Sequence, residues 1–238
     1  MNAHERLRAA RLGALNGQYA EALAEYVWFH HNALAEQPSL YGVRLSFALA
    51  YWKELAEIYP PAMMALHQTR AEKLQRLRAG ELDRELLHDV EAINSHLDAD
   101  SETAELFEAL DRDHPEFAQT CSHLVLEALA KAGRFHLAAK YIPDPIARIV
   151  TLAERLNDDI AHIPERPRSK SPRYMAYSWC FALELHTIRS VLAGANRSAD
   201  ADDCNAKAFS TLKPWYVRKA VERALMSHAQ ASPNEQVT

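Results

Sequence analysis

Gly17-Gln18-Tyr19-Ala20-Glu21-Ala22 has a counterpart in the second half of the chain, Gly133-Arg134-Phe135-His136-Leu137-Ala138. Each copy reads glycine, polar residue, aromatic residue, two free positions and alanine, and each stands between stretches of helical character. Glycine adopts the left-handed backbone of a helix–helix turn without strain. The recurrence therefore predicts helical hairpins that turn at Gly17 and Gly133. An array of such hairpins usually works by presenting a surface.

The composition supports an all-α fold. The chain has 238 residues but only six glycines, and it is rich in Ala, Leu, Glu and Arg, which favour helix over sheet. No stretch alternates apolar and polar residues with the β-branched richness that a strand needs. We predict antiparallel helical hairpins stacked into an α-solenoid of about 10–12 helices.

Prolines, glycines and capping residues predict where the helices begin and end. One helix is expected from Tyr41 to Tyr59, stopping at Pro60-Pro61, and Ser101 is expected to cap the helix that ends at Asp113. The small, polar stretch Ala195–Asn205 is predicted to be a loop. The other predicted helices are Asn2–Asn16, Gln18–Glu36, Ala62–Ala79, Leu82–Leu97, Glu116–Ala132, a short helix ending at Tyr141, Asp144–His162, Tyr174–Ala193 and Pro214–Met226.

A proline-rich, basic segment divides this pattern. Its prolines forbid helix and its charges forbid burial, so residues 164–173 are predicted to form an exposed loop or linker. On this basis residues 1–163 form a helical-repeat domain, and residues 174–230 form C-terminal helices packed on the same array. Residues 231–238 are expected to be a flexible tail.

The two glycine-containing segments resemble tetratricopeptide repeats. The family's packing pattern of small and large residues is matched by Leu12, Gly17, Tyr19, Ala22 and Tyr26 in one copy, and by Leu129, Gly133, Phe135 and Ala138 in the other. The family's signature tryptophan and closing proline are missing from their places, so the match is divergent. The resemblance implies a right-handed array of helical hairpins and the character of a scaffold.

Charge and cysteine content narrow the classes of protein to which this chain can belong. A formal net charge of -5 and a pI near 6.2 do not describe a general nucleic-acid binder. The charged segment Met1–Arg11 has no apolar run behind it and is not a secretory signal, and no window is apolar enough to span a membrane. The cysteines Cys121, Cys180 and Cys204 lack the paired spacings of disulfide or zinc frameworks, which favours reduced thiols in the cytoplasm.

Three polar residues project onto apolar helix faces. Such faces are usually buried, so a polar side chain there is unexpected. His30 is expected to be buried, either as a core histidine bonded to a carbonyl or hydroxyl group or as a ligand-binding residue. Arg44, flanked by Tyr51 on its helix, is expected to belong to an internal ion pair or to bind a carboxylate or phosphate. Glu184, on the most apolar side of its helix, is expected to have a raised pKa unless a cation pairs with it. The sequence leaves open whether the three side chains meet.

Trp28 lies at the border of a polar strip, so it is either covered by a neighbouring helix or left as a contact point for a partner. The candidate binding residues are therefore Trp28, His30, Arg44, Tyr51 and Glu184. His123 with Glu127, and Asp158 with His162, have metal-ligand spacing, but two ligands do not make a site and solvated pairs are expected. Motifs for a nucleophile, a cofactor or a phosphate-binding loop are missing, so we predict neither catalytic residues nor cofactors.

Three functions follow from these observations. The first is a cytoplasmic scaffold or adaptor that binds a protein or peptide and has no catalytic activity of its own. The second is an enzyme or small-molecule binder that uses a buried polar pocket of His30, Arg44 and Glu184. The third, least supported because the chain is acidic, is nucleic-acid binding through the basic loop together with Trp215, Tyr216, Arg218 and Lys219. The oligomeric state is left open.

Overall fold

The computed structural model describes residues 1–231, and all regular secondary structure in that range is helical, as predicted. Side chains are described as far as His228, and of the predicted tail 231–238 all but Ala231 lies outside the described residues. The α-helices are α1 (Ala3–Leu15), α2 (Tyr19–Glu36), α3 (Tyr41–Leu45), α4 (Phe47–Ile58), α5 (Pro60–Arg78), α6 (Arg84–His96), α7 (Asp100–Asp113), α8 (Pro115–Lys131), α9 (Phe135–Lys140), α10 (Pro145–Ala161), α11 (Pro172–Gly194), α12 (Ser198–Thr211) and α13 (Trp215–Ala231). Short 3₁₀ turns occupy Pro38–Leu40 and Arg168–Lys170.

The glycines of the repeated pattern stand at turns between helices. The backbone φ angle is 81° at Gly17, between α1 and α2, and 70° at Gly133, between α8 and α9. Gly80, between α5 and α6, has a φ of 92°. Residues with a Cβ atom rarely adopt this left-handed conformation, so glycine is favoured at these turns. The predicted turns at Gly17 and Gly133 are confirmed.

The predicted helix from Tyr41 to Tyr59 is broken at Ser46, so that prediction was wrong in part. Ser46 has φ −119° and ψ −90°, which separates α3 from α4, and its hydroxyl group donates to the Gly42 carbonyl at 2.7 Å. Hydrophobic periodicity averages over several turns and does not detect a break at one residue. Ser101 is also not a helix cap, because α7 begins at Asp100 and is preceded by Ala99.

The predicted loop Ala195–Asn205 was wrong for most of its length, because α12 begins at Ser198. This helix packs against α10 and α11, and its buried residues are Ala201, Cys204 and Ala208. Alanine has the highest helix propensity, and its small side chain lets helices approach closely. The small residues that suggested a loop are therefore the ones that make this helix a good packing partner.

The chain forms two compact units, residues 1–128 and the residues from Leu129 onward. This division falls within α8, not at the proline-rich segment. That segment lies inside the second unit, where α10 before it and α11 after it pack against each other. The predicted boundary at residues 163 and 164 therefore does not match the division of the structure.

In the first unit, consecutive helices pack on one another from α1 to α2 and from α4 through α7, with further contacts of α4 with α1, α2 and α6. The core contains large aromatic side chains, and Tyr26, Phe29 and Trp52 are each at most 1% exposed. The indole N–H of Trp52 donates to the carbonyl of Ala62 at 3.0 Å, which satisfies the one polar group of this side chain.

In the second unit, α11 is the central helix and contacts α9, α10, α12 and α13. Its last residue, Gly194, lies against the ring of Phe135 in α9, where a Cβ atom would come within 2.3 Å of the ring carbon Cγ. Buried Asn157 of α10 receives the backbone N–H of Lys213 and donates to the carbonyl of Thr211, both at 3.0 Å. Asn157 thereby fixes the turn that leads into α13.

Within the part of the chain that the structure describes, no helix combines the length and apolar character required to traverse a lipid bilayer. The three cysteines are free thiols. Cys121 is fully buried.

Candidate functional site

A group of buried charged and polar side chains in the first unit surrounds Asp89. Arg44 Nη2 lies 2.6 Å from Asp89 Oδ1, and Lys73 Nζ lies 2.6 Å from Asp89 Oδ2. His30 Nε2 is 4.0 Å from Asp89 Oδ2. These four residues come from α2, α3, α5 and α6, and each is less than 10% exposed. We call His30, Arg44, Lys73 and Asp89 the Asp89 cluster.

The electrostatics of the Asp89 cluster favour a charged carboxylate and a neutral imidazole. Burial acts to raise the pKa of Asp89, but the neighbouring guanidinium group of Arg44, with the ammonium group of Lys73, outweighs it and holds that pKa below its usual value. Burial lowers the pKa of His30 to about 3, and the nearby cations Lys73 and Arg44 act in the same direction against the attraction of Asp89. At neutral pH the cluster therefore holds two cations and one anion.

His30 is buried, as predicted, but the predicted hydrogen bond to a carbonyl or hydroxyl group is not found. Neither of its ring nitrogens has a hydrogen-bond partner within the described residues. Its ring instead packs edge-on to Trp52, with ring centroids 6.1 Å apart. Of the two roles expected for Arg44, the structure shows the internal ion pair, with a further, longer contact of 3.4 Å from Nη1 to the carbonyl of His30.

The sequence analysis did not identify Asp89 and Lys73, although the same helical projection would have found them. Asp89 stands one turn from the buried residues Leu86 and Ile93 on α6, and Lys73 stands one turn from Thr69 and Leu77 on α5. A charged residue within a buried helical stripe is the signal for an internal partner. Applied to α5 and α6, this signal indicates that Lys73 and Asp89 require internal partners, but it does not say which residues pair.

Trp28 and Tyr51 lie elsewhere in the first unit and are covered by arginines of α1. The guanidinium carbon of Arg6 is 3.4 Å from the centroid of a Trp28 ring, and that of Arg11 is 4.6 Å from the Tyr51 ring. Arg6 also donates to the Glu25 carboxylate at 2.6 Å and 2.9 Å. Of the two roles expected for Trp28, coverage by a neighbouring helix is the one that the structure shows.

Glu184 belongs to the second unit, on the exposed side of α11, so its predicted burial was wrong. Surrounding protein atoms nonetheless raise its pKa, as predicted, against the opposing charges of Arg148 and Arg155. Within the first unit the carboxylate that pairs with Arg44 is Asp89. The structure thus brings His30 and Arg44 together around a different acid.

A groove lies in the second unit, between α11 and α13, with a cavity volume of about 430 Å³. We call it the α11–α13 groove. It is lined by Ser169, Tyr174, Met175, Ser178, Trp179, Trp215, Tyr216, Lys219, Ala220, Arg223, Ala224 and Ser227.

The walls of the α11–α13 groove are aromatic and largely open to solvent. Trp215 is 67% exposed and Trp179 is 45% exposed. Trp179 packs against His228 with ring centroids 4.2 Å apart, and the ammonium group of Lys219 is 5.1 Å from the Trp215 ring. Aromatic side chains that stay exposed beside a groove are typical of binding surfaces.

The floor of the groove consists of small residues. Ser178, Ala220 and Ala224 are all buried, and their small side chains leave room between the two helices. The hydroxyl of Tyr174 donates to the Tyr216 carbonyl at 2.6 Å and ties α11 to α13. Ser178 Oγ is buried without a hydrogen-bond partner in the described part of the chain. A buried hydroxyl group in this state costs about 1–3 kcal/mol.

The groove unites Trp215, Tyr216 and Lys219, which the sequence had marked only as a possible nucleic-acid surface. The lining positions on α13 run 215, 216, 219, 220, 223, 224 and 227, which is one face of a helix. The sequence alone shows that this face of α13 combines apolar and cationic residues. Only the tertiary structure shows which face of α11 packs beside it to form the groove.

Residues 1–228, for which side chains are described, contain no group of three His, Cys, Asp or Glu side chains arranged to hold a metal ion. Comparison of the chain with protein-family models, with curated proteins and with solved structures finds no match. The resemblance to tetratricopeptide repeats therefore remains a prediction.

Proposed function

We propose that the protein is a helical scaffold that binds a segment of a partner protein in the α11–α13 groove. The observation that carries this proposal is that two exposed tryptophans, Trp179 of α11 and Trp215 of α13, line one groove. Tryptophan anchors at interfaces contribute more binding energy than most other residues. Exposing two of them beside a floor of small residues leaves apolar surface that a partner can cover.

The dimensions of the groove suit a peptide segment. Its lining runs along α13 from Trp215 to Ser227, which at 1.5 Å per residue is about 18 Å. An extended chain rises about 3.3 Å per residue, so the groove accommodates five to six residues, roughly.

The Asp89 cluster has a structural role in this proposal. Its ion pairs lie within the first unit and join the three helices α3, α5 and α6, so it gives the scaffold a defined arrangement without taking part in binding. This assignment sets aside a small-molecule pocket built on His30 and Arg44, because Arg44 already has its carboxylate partner.

The proposal is tested by selecting binders from a random heptapeptide library on the intact protein. Peptides that are enriched should lose affinity at least about tenfold when both wall residues are replaced, Trp179→Ala with Trp215→Ala. The matched control is Phe47→Ala in the first unit, which removes an aromatic side chain that is 61% exposed but lies outside the groove. Thermal unfolding of each variant verifies that it is folded.

Two results would refute peptide binding at this groove. One is a selection that enriches no peptide. The other is a set of enriched peptides that bind the double tryptophan variant as well as they bind the unmodified protein.

A further inference from the structure

We infer that the segment bound in the α11–α13 groove is acidic and carries one large apolar side chain. This inference rests on the proposed function, and it names the chemistry of the partner. It combines three features of the groove: the sign of its charge, the arrangement of its walls and the nature of its floor.

The charged residues among the described lining of the groove are both cations, Lys219 and Arg223, one helical turn apart on α13. The same lining contains no carboxylate. Glu222 is on α13 but lies outside the lining, and Ser169 joins the groove from the basic 3₁₀ turn Arg168–Lys170. In a chain whose formal net charge is -5, this concentration of positive charge is a local exception. Complementary charge favours a partner segment rich in Asp and Glu.

The placement of the cations leaves them accessible to a ligand. Lys219 holds its ammonium group 5.1 Å from the exposed Trp215 ring, so the charge stands at the rim of the wall. Both Lys219 and Arg223 are exposed residues. Carboxylates of a bound segment can therefore reach them from solvent without burying an unpaired charge.

The walls and floor define the apolar part of the segment. Trp179 and Trp215 line the same groove as the small buried residues Ser178, Ala220 and Ala224. An aromatic or long aliphatic side chain resting on this floor would contact the exposed aromatic lining of the groove. Removing that much apolar surface from water stabilises the complex by about 25 cal/mol per Å² before the costs of binding are subtracted.

Single-stranded nucleic acid is the competing occupant, since it also requires cations and aromatic rings. It presents one phosphate per nucleotide, and the described lining supplies only two cations along about 18 Å of helix. The overall negative charge of the chain further opposes a polyanion. A short segment with a few carboxylates fits the two cations better.

The test compares fluorescein-labelled heptapeptides by fluorescence anisotropy on the intact protein. The first peptide has acidic residues around a central phenylalanine. In the second, Asn and Gln replace the acids, and in the third, Lys replaces them. The fourth keeps the acids but has a central alanine. Single-stranded decathymidylate is the fifth probe. The acidic phenylalanine peptide should bind about tenfold tighter than the amide peptide, and the lysine peptide should bind most weakly.

Charge reversal in the protein supplies the second arm. Lys219→Glu with Arg223→Glu should invert the preference, so that the lysine peptide binds tighter than the acidic one. The matched control, Lys207→Glu with Lys213→Glu, changes the net charge equally at exposed positions outside the groove, and it should retain the preference for acidic peptides.

Equal affinity for the acidic and amide peptides would overturn this inference, and so would equal affinity for the phenylalanine and alanine peptides. It also fails if none of the peptides binds, or if decathymidylate binds more tightly than all of them and loses affinity on reversal of Lys219 and Arg223. Failure here is distinguishable from failure of the proposed function, because the random library selects binders of any charge. A library that yields tryptophan-dependent peptides without acidic residues would preserve the function and refute only the chemistry.

Discussion

Arg44 and Asp89 form a buried ion pair in the first unit, with 2.6 Å between Nη2 and Oδ1 and with exposures of 4% and 3%. The pair joins the short helix α3 to α6. Lys73 binds the second carboxylate oxygen from α5, so one acid holds cations from two other helices. Removing the acid would strand both cations in a place that water does not reach.

Replacing Asp89 should therefore be strongly destabilising. Asp89→Asn retains the shape of the side chain but removes its charge, and we expect a loss of about 3–5 kcal/mol in the free energy of unfolding. Urea denaturation measures this quantity. The control is Glu54→Gln, which removes the acid of the partly exposed Arg11–Glu54 pair and should cost less than about 1 kcal/mol. If both substitutions lowered the free energy of unfolding by the same amount, the buried ion pair of Asp89 would contribute no more than an exposed one.

The stability of the fold should decrease in acid, in part because of His30. Its pKa is about 3 in the folded protein, where burial disfavours the charged ring, and about 6.5 in the unfolded chain. Between these values the unfolded state binds more protons, so the free energy of unfolding falls as the pH falls, by up to about 1.4 kcal/mol per pH unit for this residue. Asp89, whose pKa is lowered, contributes stability that is present above about pH 4 and is lost as the pH falls further.

The contribution of His30 is measured by urea denaturation between about pH 7 and about pH 5. His30→Gln should show a flatter dependence on pH than the unmodified protein. His67→Gln, at an exposed position on α5, is the control and should leave the slope unchanged. A slope that His30→Gln does not alter would contradict the assignment of a buried, neutral imidazole.

Gly194→Ala should destabilise the second unit by about 1–3 kcal/mol, because the added methyl group would overlap the ring of Phe135. The ring is the obstacle, so a second change there should relieve the overlap. We expect Phe135→Leu with Gly194→Ala to be less destabilising than the sum of the two single variants, as measured by a double-mutant cycle in urea. If the losses of stability were strictly additive, the methyl group added at position 194 would not overlap the ring of Phe135.

Two other glycines should respond to the same substitution with opposite signs. Gly17 has a φ of 81°, and Gly17→Ala should cost about 1–2 kcal/mol although the space around it is open. Gly42 lies in α3, also with open space, and Gly42→Ala should stabilise the protein by about 0.5–1 kcal/mol. Thermal unfolding should show a lower midpoint for the first variant and a higher one for the second. Shifts of the same sign would contradict the difference in backbone conformation.

Much of the fold was predictable because the residues that begin, end and turn a helix act over one or two helical turns. The left-handed turns at Gly17 and Gly133 and the helix end before Pro60 depend on residues adjacent in the chain. The break at Ser46 and the helix that begins at Ser198 were missed. The break is confined to one residue, which a pattern averaged over several turns does not detect, whereas the helix that begins at Ser198 is buried against α10 and α11, which composition does not report.

Residue types and their periodic spacing were enough to predict that the protein is all-α and that His30 and Arg44 lie inside it, because burial of a helix face follows from its own pattern of side chains. The partner of Arg44 is a different matter. Asp89 is distant in the chain and reaches Arg44 only because α3 and α6 pack together. The groove that Trp179 and Trp215 both line likewise exists only where α11 and α13 meet, since contacts between separate helices depend on how the chain folds back on itself.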